Sequence, residues 1–217
     1  MEQLHGLPIP NTLEEACDPH RLALVVYDMQ AGILAQIADR ERVVAQVLRT
    51  LEAARAAHVR TVFMRHVTLP TEVMGAAQLR MWMAWQRAGR ASDVVSPFPP
   101  DAPQTRLIPD LAPNAQEAVI DKVTMSAFEG TPLDIVLRDC GITAVAIVGV
   151  ALEVGIEPTA RHAADLGYIP VVVTDACGPG DAAAGERALA TLDFAGDAIL
   201  TDVSAFTRAL AHHAGTS

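Results

Sequence analysis

Two charged residues follow apolar runs of the sequence, at places where a buried proton donor can form. Asp28 closes residues 22–28 (LALVVYD), and Lys122 follows residues 118–121 (AVID). A carboxyl group at the end of a buried strand is partly desolvated, which raises its pKa unless a cation compensates. A lysine at the end of a neighbouring strand supplies that cation, and such a pair can donate or accept a proton. A structural ion pair or a helix N-cap is the alternative interpretation of Asp28.

The choice of basic residues also singles out Lys122. It is the one lysine among the 16 basic residues of the chain, so that all the others are arginine. Coding bias combined with chance is one explanation. The other is that this position requires an ammonium group, a compact donor that the planar guanidinium group of arginine does not replace.

A glycine lies in the loop formed by residues 149–163 (GVALEVGIEPTARHA), which joins a predicted strand to a predicted helix. If the helix begins near Val154, the free amides of its first turn point toward the strand ends. There they can bind an anion or a developing oxyanion. Gly155 stands in this turn, although glycine costs a helix about 1 kcal/mol relative to alanine. It is either a tolerated defect or a device that leaves room for substrate or water beside the backbone.

The apolar pattern predicts an α/β fold with three layers, in which helices cover both faces of a Rossmann-like parallel sheet of about six strands. Short branched-apolar runs predict strands at residues 22–28, 61–65, 118–121, 144–149, 169–174 and 198–200. Helical patterns alternate with them at residues 39–57, 131–140, 154–166 and 181–195. Ligands of such sheets bind beyond the carboxyl ends of the strands. That rule selects Asp28, Lys122, residues 151–155 and Asp175.

Residues 67–117 interrupt this alternation within what we predict to be a single domain of residues 1–217. Their first part (TEVMGAAQLRMWMAWQRAG) has the pattern of an amphipathic helix and carries Trp82 and Trp85, and their second part is rich in proline. A long insertion is typical of a lid or a binding loop. The alternative is a helix that docks on the sheet or on a second subunit, and both are compatible with a pocket at a subunit boundary.

The composition excludes several classes of protein. The chain has 26 acidic and 16 basic residues, a formal charge of −10, and no run of Lys or Arg, so we expect no nucleic-acid partner. It has no apolar stretch of about 18 residues and no signal-peptide pattern, so we expect no membrane partner. Cys17, Cys140 and Cys177 form no cluster with histidine, which argues against a disulfide framework or a zinc site and favours the cytoplasm. We expect no cofactor.

The motifs at these strand ends resemble the isochorismatase-like hydrolase superfamily, also called the cysteine hydrolases. VVYDMQ carries Asp28 and Gln30 at the positions of the family's D-x-Q motif, and KVTMSAF carries Lys122 and Phe128 at those of its K-x-x-x-S-A-F motif. The glycine-bearing loop and a DAC sequence at residues 175–177 follow in the family's order. The resemblance covers residues 22–206 and implies the same three-layer fold.

The sequence departs from the family at the position of the nucleophilic cysteine, which is Gly155 here. Without a thiolate the usual thioester route cannot run. True isochorismatases are similar in having glycine there, and the resemblance implies that Asp28 protonates a vinyl carbon while Lys122 holds and tunes it. The backbone of Val150, Ala151 and Gly155 would form the oxyanion site, with the amides of Ala151 and Gly155 orienting substrate or water. The family also implies a non-proline cis peptide bond, which falls at Val150–Ala151, and cysteine at position 155 is expected to be reactive.

The remaining candidates concern substrate binding. We predict that Gln30, Trp82, Trp85, Phe128 and Glu153 contact the substrate, with the aromatic side chains favouring an apolar or aromatic molecule. Helical packing is the alternative role of the tryptophans. Glu153, Glu157 and Arg161 also follow one another at intervals of four residues, a spacing that predicts a ladder of ion pairs on one face of a helix.

Metal binding is not expected, because the region MRHVTLP lacks the Asp-x-His pair that nicotinamidases of the superfamily carry. Arg65 and His66 are candidates for binding a substrate carboxylate or carbonyl group. For His66 we favour a strand-end histidine satisfied by neighbouring backbone. The two carboxylates of isochorismate call for two cations, for which only Arg65, Arg80 and Arg87 are candidates.

Two functions from different classes follow. The first is a hydrolase without a cysteine nucleophile that uses Asp28 and Lys122 on a vinyl ether, enamide or amide-like bond of a small molecule. The second is an inactive family member that binds a small molecule. Retention of both charged residues weighs against the second, because a buried ion pair without a task is often no more stable than an apolar pair. We expect a homodimer or a homotetramer.

Overall fold

A six-stranded parallel sheet forms the centre of the computed structural model, which describes residues 1–214. Residues 215–217 of the predicted domain lie outside the described residues. A short antiparallel hairpin of β1 (Glu2–Leu4) and β2 (Leu7–Ile9) precedes the sheet. The sheet strands are β3 (Leu22–Tyr27), β4 (Arg60–His66), β5 (Ala118–Lys122), β6 (Ala144–Val150), β7 (Ile169–Gly178) and β8 (Ile199–Thr201). Their order is β5-β4-β3-β6-β7-β8, so β3 lies at the centre.

Helices cover both faces of the sheet, as the alternating pattern predicts. They are α1 (Leu13–Ala16), α2 (Ala31–Leu34), α3 (Arg40–Ala56), α4 (Ala76–Gln86), α5 (Leu133–Asp139), α6 (Glu157–Asp165), α7 (Ala182–Ala195) and α8 (Val203–Ala214). Buried side chains of α3 and α8 pack on one face, and those of α5, α6 and α7 pack on the other. The predicted three-layer α/β/α fold is therefore confirmed. Within residues 1–214, none of the helices combines the length and apolar character needed to cross a membrane.

The period-two alternation of β3 determines which side chains reach each layer. All six of its residues are buried, because both neighbours and both faces are occupied. Leu24 and Val26 point into the layer of α3 and α8. Val25 and Tyr27 point into the layer of α5 and α6. The aromatic ring of Tyr27 therefore lies next to the loop between β6 and α6, and Asp28 follows at the carboxyl end of the strand.

The loop between β6 and α6 differs from the prediction of a helix that begins near Val154. The chain instead makes a π-helical turn over Leu152–Ile156 before α6. The Ile156 N–H reaches back five residues to the Ala151 carbonyl oxygen at 3.2 Å. Pro158 has no N–H to donate to the preceding turn, which favours this wider winding.

The insertion between β4 and β5 forms α4 and a series of 3₁₀ turns, in place of the longer helix that the pattern of residues 71–89 indicates. Gly75 precedes α4, and Arg87 ends it in the left-handed conformation. Its apolar residues build a separate small cluster of Met74, Trp82, Val94 and Phe98. This cluster stands over the carboxyl end of β4, where the Thr68 hydroxyl accepts a hydrogen bond from the Phe98 amide at 2.8 Å.

Candidate active site

The structure brings Asp28 and Lys122 together across the strand that separates them. Asp28 follows β3, Lys122 ends β5, and β4 lies between these strands. The Lys122 Nζ atom donates to Asp28 Oδ2 at 2.8 Å and to the Thr124 carbonyl oxygen at 3.2 Å. Both residues are buried, with 6% and 2% of their surface exposed. The pair that the strand-end argument predicts is therefore a buried, hydrogen-bonded ion pair.

Burial dominates the protonation of this pair. It raises the pKa of Asp28 to about 6, although the charge and hydrogen bond of Lys122 and the nearby His66 amide act in the opposite direction. Burial also lowers the pKa of Lys122, while Asp28 acts to raise it. Within residues 1–214, the buried Oδ1 atom of Asp28 has no hydrogen-bond partner. Asp28 thus keeps one free oxygen and a pKa that suits a proton donor.

The backbone of Asp28 adopts a conformation that non-glycine residues rarely take, with φ at +48°. Its amide donates to the Met64 carbonyl oxygen at 3.1 Å, and its carbonyl oxygen accepts from the Gln30 amide at 2.7 Å. These bonds hold the residue in a left-handed turn directly after the strand. Such strained positions persist where the surrounding structure determines them and are common at functional sites.

A cavity of about 390 Å³ opens above this turn. One side is an aromatic wall contributed by the insertion, in which the rings of Trp82 and Trp85 meet edge to face at 5.1 Å. The other side is the loop between β6 and α6. The residues that line the cavity include Tyr27, Asp28, His66, Trp82, Trp85, Phe98, Met125, Ala151, Glu153, Gly155 and Asp181. The prediction that the tryptophans face a pocket is consistent with this geometry.

The His66 ring lines the cavity, and a backbone group of Thr124 interacts with it and acts to raise its pKa, so the interpretation that neighbouring backbone satisfies this histidine stays a prediction. Its side chain is buried, and within the described residues neither ring nitrogen has a hydrogen-bond partner. The ring lies 6.1 Å from those of Trp82 and Phe98. Burial, together with the charge of Lys122, lowers its pKa to about 3. A neutral imidazole therefore offers one donor and one acceptor to a ligand.

Gln30 holds backbone and does not line the cavity, which corrects its prediction as a substrate contact. Its Nε2 atom donates to the carbonyl oxygens of His66 at 2.9 Å and Thr105 at 2.8 Å. Its Oε1 atom accepts from the His66 amide at 2.6 Å. The fully buried amide thus fastens the end of β4 and the insertion to the turn at Asp28.

Replacing Gln30 by leucine should lower the free energy of unfolding by about 3 kcal/mol, because three buried backbone groups lose their partner. Denaturant unfolding followed by circular dichroism measures this loss. The matched control is Gln36→Leu, since Gln36 is exposed and its side chain makes one hydrogen bond, to the Gly32 carbonyl oxygen in the preceding turn. The control should change stability by less than about 0.5 kcal/mol. Equal losses in both variants would contradict the role given to Gln30.

The backbone of Gly155 lines the cavity, but the volume that a side chain at this position would occupy is already filled. A Cβ atom built on Gly155 would overlap the Oη and ring atoms of Tyr27. The Tyr27 hydroxyl group donates to the Met125 carbonyl oxygen, and its ring lies 4.2 Å from the Lys122 Nζ atom. A phenol therefore fills the volume that a side chain at position 155 would need.

The Gly155 amide is also unavailable as a predicted oxyanion donor, because it donates to the Ala151 carbonyl oxygen at 3.0 Å. Ala151 itself lines the cavity, and the Val150–Ala151 peptide bond is cis, as the family resemblance implies. Val150 is buried at the end of β6 and does not line the cavity. Of the predicted backbone donors, the Ala151 amide remains at the cavity wall.

Sequence reasoning missed the role of Tyr27. A period-two reading of residues 22–28 was the signal that could have found it, since that pattern alternates the faces of the strand. Burial raises the pKa of its hydroxyl group well above the ordinary value, so the phenol stays neutral. Tyr27 thus contributes a neutral hydroxyl group and an aromatic face to the ion pair.

Glu153 lines the cavity but does not join the predicted ladder of ion pairs. Its carboxylate oxygens accept from the amides of Gly180 at 3.1 Å and Asp181 at 2.8 Å. Arg161 pairs instead with Glu157 and Asp197. The π-helical turn explains the difference, because it rotates Glu153 away from the face that the other two residues share.

Phe128 and the arginine candidates lie outside the cavity. The Phe128 ring packs in the core, stacked on Tyr168 at 5.7 Å, which corrects its prediction as a substrate contact. Arg65 forms a bidentate pair with Asp121 at 2.6 and 2.8 Å. Arg80 and Arg87 are exposed on the insertion. None of these cations is placed to bind a substrate carboxylate in the cavity.

The other strand-end and cysteine candidates have structural environments. Asp175 accepts from the Val203 amide at 2.8 Å and so caps α8. The buried Cys177 thiol donates to the Ile147 carbonyl oxygen, and burial raises its pKa. Cys140 ends α5. Within residues 1–214, no group of three or more His, Cys, Asp or Glu side chains is arranged to hold a metal ion.

Comparison with known proteins connects this geometry to a family. The family model of the isochorismatase domain matches residues 22–204, which is most of the chain. The chain is 27% identical to ureidoacrylate amidohydrolase RutB of Serratia proteamaculans over 173 residues, 73% of this chain and 70% of that protein. It is 27% identical to enterobactin synthase component B of Escherichia coli over 177 residues, 81% of this chain and 59% of that protein. Short matches to two further relatives span 36% and 29% of their length.

Solved structures agree with the family model. A cysteine hydrolase from Pseudomonas syringae pv. phaseolicola superimposes with a TM-score of 0.77 at 23% identity, covering 90% of this chain and 95% of that chain. This likeness supports the fold. The match of the family model over residues 22–204 is broader than any single motif, and it includes both members of the ion pair and the loop at Gly155. The chain belongs to the isochorismatase family.

Proposed function

We propose that this isochorismatase-family hydrolase cleaves a small vinyl ether or enamide without a thiol, with Asp28 as the proton donor. The observation that carries the proposal is the free Oδ1 atom of Asp28, which is buried at the floor of the cavity while Oδ2 is bound to Lys122. With a pKa of about 6, this carboxyl group is half protonated at pH 6 and about one-tenth protonated at pH 7, far more than an ordinary aspartate. The relatives include a named amidohydrolase, which supports hydrolysis as the class of reaction.

The proposed reaction begins with proton transfer from Asp28 to the terminal carbon of the substrate double bond. The adjacent carbon becomes an oxocarbenium ion, or an acyliminium ion for an enamide. Water adds to that carbon, and its proton returns to Asp28. The C–O or C–N bond of the resulting hemiketal or hemiaminal then breaks while its hydroxyl proton passes to the leaving oxygen or nitrogen, giving a carbonyl compound and an alcohol or amide.

Lys122 and Tyr27 support this step from behind the carboxyl group. The ammonium group of Lys122, 2.8 Å from Asp28 Oδ2, stabilises the carboxylate that forms when the proton leaves. Because the pair is buried, this stabilisation acts at low dielectric and requires little reorganisation. The Ala151 amide and the His66 ring are the groups proposed to orient the substrate and water.

The pH dependence of kcat/KM tests the direction of proton transfer. If Asp28 donates a proton, its active form is the acid, and kcat/KM should fall about tenfold per pH unit above pH 6. The measurement is kcat/KM between pH 4.5 and 8.5 for vinyl ethers, enamides and amides, with products identified by mass. If kcat/KM instead rises through pH 6, Asp28 acts as a base on water, which is the route that an amide substrate requires.

The second candidate is a protein that binds a small molecule in the same cavity without turning it over. The specific observation that favours it is Tyr27, which fills the space beside Gly155 and excludes a nucleophilic side chain there. It predicts saturable binding with no hydrolysed member in the substrate panel. Any turnover that depends on Asp28 overturns it.

The cellular setting stays a proposal. We propose a cytoplasmic homodimer or homotetramer that acts on a small molecule, with neither nucleic acid nor membrane as a partner. Three free cysteines support a reducing compartment. Exposed apolar side chains on α5 and α7, Ile135 and Phe194, support an interface between subunits.

A further inference from the structure

The charged groups around the cavity have one sign. The acidic residues that line it are Asp28, Glu153 and Asp181, and within the described residues no arginine or lysine lines it. Lys122 is bound to Asp28 and offsets the charge of the Asp28 carboxylate, but not the charges of Glu153 and Asp181. The titratable His66 ring is neutral, because its pKa is lowered to about 3. Two carboxylates therefore face the cavity without a compensating side-chain cation.

Backbone hydrogen bonds hold these two carboxylates in place. Glu153 accepts from the amides of Gly180 and Asp181 at 3.1 and 2.8 Å. Asp181 accepts from the Ala184 amide at 2.8 Å as the N-cap of α7. Neither forms an ion pair within residues 1–214. These amides lie at the N-terminus of α7, whose dipole supplies only about half a positive charge against two carboxylates, so the wall keeps a net negative charge.

The opposite wall is aromatic. Trp82 is buried, whereas half of the surface of Trp85 is exposed beside it. Phe98 lies 6.3 Å from Trp82 and extends the wall toward His66. Aromatic faces attract cations, and indole does so most strongly. A cation between this wall and the carboxylates would be attracted from both sides.

Unpaired polar atoms at the floor of the cavity are a separate indication that a ligand binds there. The Oδ1 atom of Asp28 and both ring nitrogens of His66 are buried without partners within residues 1–214. Buried polar atoms are nearly always paired, so a bound molecule is expected to bring polar groups to this depth. An elongated ligand would place a reacting group at the floor and its charged group higher, between Glu153 and the tryptophans.

We infer that the substrate of this cavity is an apolar or aromatic molecule that carries an ammonium group and no carboxylate. The inference rests on the proposed function for its reacting bond, but the preference for a cation rests on the charges and rings alone. A dianionic substrate would place its carboxylates against Glu153 and Asp181. The cavity therefore selects against anions by repulsion and for cations by attraction.

Tryptophan fluorescence can test the charge preference directly, since the chain has two tryptophans and both line the cavity. The probes are benzyltrimethylammonium, benzyl alcohol and phenylacetate, which share a benzyl group and differ in charge. We expect the cation to bind about tenfold more tightly than the alcohol, and phenylacetate to bind more weakly than both. The inference is overturned if phenylacetate binds as tightly as benzyltrimethylammonium or more tightly. It is also overturned if the cation does not bind at millimolar concentration.

A matched pair of variants locates the effect. Glu153→Gln removes the charge and keeps one of the two backbone bonds, so it should reduce the advantage of the cation over the alcohol about fivefold, with the affinity for benzyl alcohol measured in the same variant as the internal reference. Glu157→Gln is the control, because Glu157 lies one turn further along, pairs with Arg161 and does not line the cavity. If both variants reduce the cation advantage equally, or neither does, Glu153 is not the recognition group and the inference fails.

The binding titration requires no turnover, which separates this inference from the proposed reaction. Cation preference without any hydrolysis that depends on Asp28 would refute the reaction and leave the ligand class standing. Hydrolysis that depends on Asp28, combined with equal affinity for all three probes, would refute the ligand class and leave the reaction standing.

Discussion

Replacing Asp28 by asparagine should lower kcat/KM for a hydrolysed vinyl ether or enamide by about a thousandfold, the usual contribution of a positioned proton donor. The amide keeps the shape of the carboxyl group but has no proton acidic enough to transfer to carbon. The measurement is kcat/KM for the best substrate of the panel, with the product identified by mass.

The control for this prediction is Asp121→Asn. Asp121 lies next to Lys122 on β5 and carries the same functional group, but its partner is the partly exposed Arg65 and it does not line the cavity. Its kcat/KM should stay within about twofold of the parent because exposed ion pairs contribute little. A folded Asp28→Asn enzyme with parental turnover would exclude Asp28 as the proton donor.

Folding of the Asp28 variant needs its own measurement, because the substitution leaves Lys122 buried without its carboxylate. Breaking a buried pair in this way typically costs about 3–5 kcal/mol when the remaining group stays charged. Burial already lowers the pKa of Lys122, so loss of its proton relieves part of that cost. Circular dichroism and a thermal transition, recorded beside the kinetics, distinguish lost chemistry from lost structure.

Introducing the family's cysteine at position 155 should destabilise the parent chain and give an unreactive thiol, contrary to the expectation from sequence. The Cβ atom of Gly155→Cys would overlap Tyr27 Oη, which is held by its bond to the Met125 carbonyl oxygen. Overpacking of a closed core typically costs about 1–3 kcal/mol. We expect a lower unfolding midpoint, little reaction of the new thiol with iodoacetamide, and no amidase activity.

The double variant Tyr27→Val/Gly155→Cys should relieve this overlap. Removing the phenol leaves space for the thiol beside Lys122, whose positive charge lowers a neighbouring thiol pKa. Peptide mapping by mass then distinguishes labelling at position 155 from labelling at the three native cysteines, of which Cys17 and Cys177 are buried. Tyr27→Val alone is the control for the loss of the ring.

The outcome that contradicts this steric argument is a Gly155→Cys variant as stable as the parent and labelled as fast as the double variant. The coupling is measured by a double-mutant cycle. If Tyr27 and Gly155 share one volume, the two substitutions together should be less destabilising than the sum of their separate effects.

The sequence by itself determined the sheet and the ion pair. Branched-apolar runs of strand length that alternate with helical patterns leave few arrangements other than a parallel sheet covered on both faces. Strand ends of such a sheet converge on one edge, so Asp28 and Lys122 were expected to meet although 94 positions separate them. The loop at Gly155 lies at the same edge for the same reason.

Only the tertiary structure decided what surrounds that pair. The sequence predicts that Gln30 touches substrate, but its side chain binds the main-chain N–H and C=O groups of His66, and the His66 ring lines the cavity instead. Strand type and position follow from local patterns, whereas hydrogen-bond partners depend on which groups packing brings within 3 Å of one another.

The same reason explains Tyr27, Gly155 and the charge of the cavity. A glycine in a sequence indicates a missing side chain, but it does not tell whether solvent, ligand or a neighbouring ring fills the volume. Here the ring of Tyr27 fills it, because β3 and the turn after β6 pack in direct contact. Residue types and spacing therefore determined the ion pair, and the packing of distant segments determined the shape of the cavity beside it, the hydrogen-bonding groups that line that cavity and the two carboxylates of its wall.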